Sequence, residues 1–337
     1  MITPAIRVLA LLGFLALTAT SASAQTAAGM IAAANAFLST LSAEQRKTTI
    51  FAFDDARQRT RWSNLPVQNV PRSGMNFENM NESQRKAAMA LLAASLSERG
   101  LQKVLAIMEG DEVLKERGGN GPRFGRDLYF FSFMGTPSAT QPWMLQFGGH
   151  HLALNITVAG SRGVLTPTLT AAQPALYTRG GREVRPLGGE SDKAATLWAS
   201  LTAAQRTQAT IGARVADLVL GPGQDGRTIE PEGLRASAMT EAQRTLLLDV
   251  IAEWAGIIQA EGTAQRMAEI RAGLAETWFA WSGPATATSG TNIESYYRIQ
   301  GPQLVIEYAP QRADPTQHVH TIYRDPTNDY GARLTAR

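Results

Sequence analysis

A six-residue phrase occurs four times in this chain, and its spacing restricts the available folds more than any other feature. The copies are Leu41-Ser42-Ala43-Glu44-Gln45-Arg46, Met80-Asn81-Glu82-Ser83-Gln84-Arg85, Leu201-Thr202-Ala203-Ala204-Gln205-Arg206 and Met239-Thr240-Glu241-Ala242-Gln243-Arg244. In each, the Ser, Asn or Thr can accept from the amide three residues on. The Gln at that position can reach back to the cap's own N–H, so each phrase is a capping box that starts a helix. The first two copies begin 39 residues apart and the last two 38, and the pairs are displaced by 160 and 159. That regularity predicts an internal duplication.

The echo continues downstream. Phe131-Ser132-Phe133-Met134-Gly135 corresponds to Phe279-Ala280-Trp281-Ser282-Gly283, and Phe147 to Leu154 corresponds to Ile299 to Ile306. The offsets drift to 148 and 152, as loop deletions produce. Each half then reads as a short capped helix, a connection, a longer capped helix, another helix and an aromatic hairpin. The long helix of the first half is expected to run from Asn81 toward Gly100, read as its C-terminal cap. Val104, Ile107, Met108 and Val113 follow at helical spacing, as do Leu246, Leu247, Val250, Ile251, Trp254 and Ile257 in the second half. Leu128 to Met134, Trp143 to Val158, Tyr296 to Tyr308 and His318 to Tyr323 are rich in aromatic and β-branched residues and read as antiparallel strands. The expected fold is therefore α+β: two pseudo-repeats, about 41–160 and 201–330, each of helices plus antiparallel hairpin, packed as one globular unit over 25–337.

Composition fits a packed core. Of 337 residues, 44% are hydrophobic and 18% charged, with a net charge of +3, whereas a disordered chain would have fewer apolar residues and more net charge. There is no cysteine, which excludes disulfides, thiolate-ligated zinc, iron–sulfur clusters and thiol nucleophiles. The pI near 9.3 arises from arginines scattered among nearly as many acids, so no nucleic-acid partner is expected.

Residues 1–24 read as a signal peptide: Arg7, an apolar stretch from Val8 to Leu17, then the small-residue site Ala22-Ser23-Ala24 before Gln25. The apolar stretch is about half the ~20 residues of a spanning helix. The expected localisation is periplasmic or secreted, with no membrane span after cleavage and a small-molecule or oligomeric extracellular substrate.

The four histidines stand in two clusters, His150-His151 and His318-Val319-His320. Random placement would produce such clustering on the order of once in a thousand chains. On a strand, side chains alternate with period two, so His318 and His320 face the same way and can offer two ligands to one metal. Adjacent His150 and His151 would face opposite ways unless a bulge at Gly148-Gly149 re-aims one of them. All four are candidate ligands. Imidazole ligation without thiolate suits copper, zinc, iron or nickel, with copper or zinc expected here. Glu307 is a candidate carboxylate or base, and Met144 a soft copper ligand. In the tail after the second cluster, Asp325 or Asp329 is a candidate orienter of an imidazole and Arg324 a candidate anion-binding group. Asp-Pro and Asn-Asp are also turn formers.

Other motifs carry no chemistry. Gly118-Gly119-Asn120-Gly121-Pro122 lacks the Lys-Ser or Lys-Thr of a phosphate-binding loop. No Gly-x-Ser-x-Gly elbow occurs. The sequon Asn155-Ile156-Thr157 lies inside an expected strand.

The segment Trp143 to Leu154 with its Gly-Gly-His-His, together with the run from Gly301 to Tyr308 and from His318 to Gly331, resembles a secreted bacterial family catalogued as domain of unknown function 3500. The resemblance covers most of the chain after the signal peptide and implies one secreted unit built around both histidine clusters. It implies no activity. The residues point to a His-ligated metal protein and favour an enzyme, with metal-assisted hydrolysis and copper-type oxidation both fitting. The alternative is a metal-free periplasmic binding module for a small anion, using Arg324 and the histidines.

Overall fold

The fold is that of a computed structural model, which describes residues 26–118, 123–212, 215–284 and 290–335. The expected signal peptide lies outside these residues, as does most of the glycine-rich segment 118–122. The architecture is α+β. The first half contains α1 (Ala27–Ser39), α2 (Ala43–Thr49), β1 (Ile50–Phe51), α3 (Ala56–Arg59), β2 (Met75–Asn76), α4 (Glu82–Ser95) and α5 (Glu98–Gly118). Four strands follow: β3 (Phe130–Met134), β4 (Trp143–Gly149), β5 (Leu152–Ala159) and β6 (Arg162–Ala172). A small ribbon of β7 (Tyr177–Arg179) and β8 (Arg182–Val184) leads into the second half. That half contains α6 (Gly188–Ser200), α7 (Ala203–Ala209), β9 (Leu234–Arg235), α8 (Glu241–Ala255) and α9 (Ala260–Ala272). It ends with β10 (Trp278–Ser282), β11 (Tyr296–Gly301), β12 (Leu304–Pro310), β13 (Val319–Arg324) and α10 (Ala332–Thr335). The sequence reading missed α1 and α6, which precede the repeated phrases and carry none of their own.

All four phrases form complete capping boxes, at Ser42, Asn81, Thr202 and Thr240. The glutamines do a second job. Gln84 Nε2 donates to Gln45 Oε1 at 2.9 Å, and Gln205 pairs with Gln243 at 2.9 Å, so the helix starts of each pair are tied together. Gly100 departs from expectation, because α4 ends at Ser95 and Gly100 lies in the first turn of α5. A Cβ there would stand 2.2 Å from the Ile257 carbonyl oxygen, so glycine admits close approach of the backbone beyond α8. At that contact Leu96 and Ile258 form an antiparallel bridge.

The main sheet runs in the order β1-β3-β4-β5-β6-β13-β12-β11-β10-β9. The two four-stranded meanders meet at the antiparallel pair β6–β13, where the Thr170 and Thr321 hydroxyls lie 2.7 Å apart. Strand alternation gives the sheet two unlike faces. Val319 and Tyr323 join Phe131, Phe147, Leu154, Ile306 and Tyr308 in the main core, which the helices cover. Ile322 faces the other way and packs with Trp62, Ala153, Leu169, Ala171 and Leu218. Trp62 and Leu218 belong to two long irregular segments that roof this second face. No helix among the described residues is long and apolar enough to cross a membrane.

Candidate metal centre

β4 and β5 pair up to Gly149 opposite Leu152, which leaves His150 and His151 as the whole of a two-residue turn. No bulge at Gly148-Gly149 re-aims a histidine: the pairing is regular through Gly149, and the two histidines lie beyond the strand. The turn itself sets the direction of the two rings, with His151 at φ 60°, a conformation uncommon outside glycine. The glycine before it answers to crowding: a Cβ on Gly149 would lie 2.6 Å from the Leu128 carbonyl oxygen. The His151 carbonyl accepts from the Ala171 amide at 2.8 Å, tying the turn to β6. Ala171 is the register partner of His320 on β13. Two histidine clusters 167 residues apart therefore meet at one end of the sheet.

His151, His318 and His320 converge. His318 Nε2 lies 3.2 Å from His151 Nε2 and 3.0 Å from His320 Nε2. The three ligand atoms fall within 4.8 Å of one another and could hold a metal ion. For an ion with bonds of ~2.0–2.1 Å to nitrogen, tetrahedral geometry places ligand nitrogens about 3.3–3.4 Å apart, close to the two short separations. His151 and His320 are buried, and His318 is partly open. Burial holds His151 well below the ordinary imidazole value, with His150, His320 and His318 adding to the effect. Burial likewise pushes His318 down to about 3, reinforced by His320 and His150. Both rings are thus neutral near pH 7, the form that binds metal.

His150 stands outside the triad. Its ring stacks on His151 with centroids 3.7 Å apart, and its Nδ1 lies 2.6 Å from Asp111 Oδ1, on α5. It packs on His151 and is not among the three residues that could hold an ion. His320 Nδ1 lies 2.9 Å from Asp217 Oδ1 and 3.3 Å from Asn64 Nδ2. The shorter contact to a carboxylate assigns the proton to Nδ1, leaving the Nε2 lone pair for a cation. Burial raises the Asp217 carboxyl, but its contacts with His320, the Leu218 amide and Gln311 outweigh burial and leave it below its usual value. Asp111, Asp217 and Asn64 were missed by sequence reasoning. No spacing links them to the histidines, and Asp217 and Asn64 lie on irregular segments.

The other candidates are engaged elsewhere. Glu307 is buried and accepts from the Val219 and Leu220 amides and the Tyr296 hydroxyl. Arg324 donates to Leu220 O, Gly221 O, Asp225 and Asp329. Asp325 points from the opposite face to Arg266 at 3.0 Å and to the Thr327 hydroxyl at 2.7 Å. Asp329 pairs with Arg324, so the imidazole orienters are Asp111 and Asp217 instead of the tail aspartates. Met144 is buried in β4, five residues before Gly149 and so ~17 Å along the strand from the turn. Asn155, of the sequon, is buried in β5.

The family model described as Protein of unknown function (DUF3500) matches residues 23–332, and the chain belongs to that family. No curated protein and no solved structure matches the chain.

Proposed function

We propose that this member of the DUF3500 family is a metalloprotein in which His151, His318 and His320 bind one ion through their Nε2 atoms. One observation carries this reading: His318 Nε2 stands 3.2 Å from His151 Nε2 and 3.0 Å from His320 Nε2, and all three ligand atoms fall within 4.8 Å of one another. With the His320 Nδ1 proton held by Asp217, its Nε2 lone pair faces the site, and neutral His151 and His318 can each turn a lone pair toward the same cation. We take the ion to be copper or zinc, both of which a donor set of nitrogen alone suits. It would serve as a Lewis acid or, for copper, as an electron carrier, and we assign the protein to metal-assisted hydrolysis or oxidation. His318 is partly exposed, so its edge is the side from which water or a substrate would reach the ion. The anion-binding alternative is weakened by Arg324, whose guanidinium is already shared among two carbonyls and two carboxylates.

Metal analysis of protein purified without chelators or affinity metals tests the proposal. One equivalent of copper or zinc supports it. Protein that is metal-free and takes up neither ion overturns it. The N-terminal pattern supports export to the periplasm or beyond, for which intact mass should begin at or within two residues of Gln25. A retained leader would refute that.

A further inference from the structure

Asp217 is half exposed on an irregular segment, yet it must hold the His320 ring in one tautomer and one orientation. A carboxylate on a loose loop would not do this, so the question is what holds the loop. Directly after Asp217, Leu218 packs against the small apolar cluster that includes Ile322. The next two amides both end on one carboxylate: Val219 N donates to Glu307 Oε1 at 2.8 Å and Leu220 N to Glu307 Oε2 at 2.7 Å. The Tyr296 hydroxyl donates to Oε1 at 2.7 Å and fixes the carboxylate from its other side. The carbonyls of the next two peptides are held as well: Arg324 Nε donates to Leu220 O at 2.7 Å and Nη2 to Gly221 O at 3.1 Å.

These two side chains stand on the sheet face that bears the triad. His320, Ile322 and Arg324 alternate onto one face of β13, and Glu307 pairs in register with Ile322. The sheet that presents His318 and His320 therefore also grips the loop that orients His320. Gln311, on the turn between β12 and β13, donates to Asp217 Oδ1 at 2.9 Å and completes the contact.

We infer that Glu307 and Arg324 are positioning residues, which hold residues 217–221 so that Asp217 fixes His320 with Nε2 turned toward the other two histidines. The inference rests on the metal reading above. It gives a role to two residues whose chemistry otherwise looks catalytic. Glu307 has no oxygen free to act as a base, and Arg324 no free face for a substrate. Orienting contacts of this kind alter metal affinity by 10–100-fold when removed.

The test is competition for zinc against a chromophoric chelator, using the full exported chain and the variants Asp217→Asn, Glu307→Gln, the double variant and Leu247→Ala. Glutamine has one carbonyl oxygen for three donors, so at least one loop amide loses its acceptor. Asp217→Asn and Glu307→Gln should each lower zinc affinity about 10–100-fold, with the double variant no worse than the weaker single. Leu247→Ala, destabilised in the helix core, should bind zinc as the wild type does, separating positioning from general stability. Hydrogen exchange of the 218–221 amides in the metal-free protein should rise in Glu307→Gln. If Glu307→Gln does not fold, Arg324→Lys takes its place, with the same expected loss. Wild-type affinity in these positioning variants, while Asp217→Asn is weakened, overturns this inference and leaves the metal site standing. Wild-type protein that binds no zinc or copper removes both.

Discussion

His318 and His320 bring their Nε2 atoms to 3.0 Å across an intervening valine that points the other way. Val319 lies in the helix-covered core while its neighbours face the roof, so one tripeptide serves two layers. Changing either His318 or His320 to Ala should abolish stoichiometric metal, and changing both should do little more, because one lost ligand already empties the site. Val319→Ala should cost about 1–2 kcal/mol through a small cavity and leave the metal in place. Metal analysis and urea unfolding of the three variants check this, and a single histidine variant that keeps a full equivalent refutes it.

His150 provides a sharper check on ligand identity. Its Nδ1 is committed to Asp111, and its ring lies against His151 and Phe124. His150→Gln should therefore retain one equivalent of metal, with reduced affinity at most. Complete loss in a folded variant would make it a fourth ligand.

The metal-free protein should be acid-sensitive in a defined window. His151 and His318 are depressed by burial, His318 to about 3 from an ordinary 6.5. Between those values the unfolded chain binds protons that the folded chain excludes. Their contribution to stability is full above pH 6.5 and is lost as pH falls toward 3. The melting temperature of chelator-treated protein should fall through this range, and His318→Gln should flatten the fall. Parallel profiles for the two proteins would count against it.

Away from the site, Lys103 is buried with two glutamates. Its Nζ donates to Glu190 Oε1 and, at 3.2 Å, to Glu253 Oε2, and burial lowers its pKa against the pull of Glu190. Lys103→Met strands the Glu190 charge in the interior and should cost about 3–5 kcal/mol. Chemical denaturation measures it, and a loss below 1 kcal/mol would show that the glutamates find other partners.

Gln84 and Gln243 make matching bonds: each reaches back to its N-cap amide, to a carbonyl of the preceding helix pair, and to the partner glutamine. Alanine at either position should cost about 1–2 kcal/mol, by similar amounts. One silent and one costly substitution would mean the two halves are not built alike at their helix starts.

Residues that act over one turn of helix or two steps of strand were legible directly. Ser42 with Gln45 and Thr240 with Gln243 name their helix starts, because capping is a contact between positions three apart. His320 on β13 and His318 directly before it reach one site, as two-residue alternation of extended backbone leads one to expect. The α+β character followed from the same short-range rules. Tertiary structure decided which further groups join them. His151 enters the triad and His150 leaves it because both occupy a turn, where a φ of 60° and not strand alternation sets ring direction. Gly100, which by local pattern suits a helix end, lies inside a helix because Ile257 must pass within reach of it. Asp217 and Glu307, 90 residues apart, act on one loop for a reason no spacing contains: antiparallel pairing of β12 with β13 sets Glu307 beside Ile322, and the roof folds down onto both. Short-range chemistry is written in neighbouring residues, whereas a site assembled across a sheet depends on which strands pair and in what register.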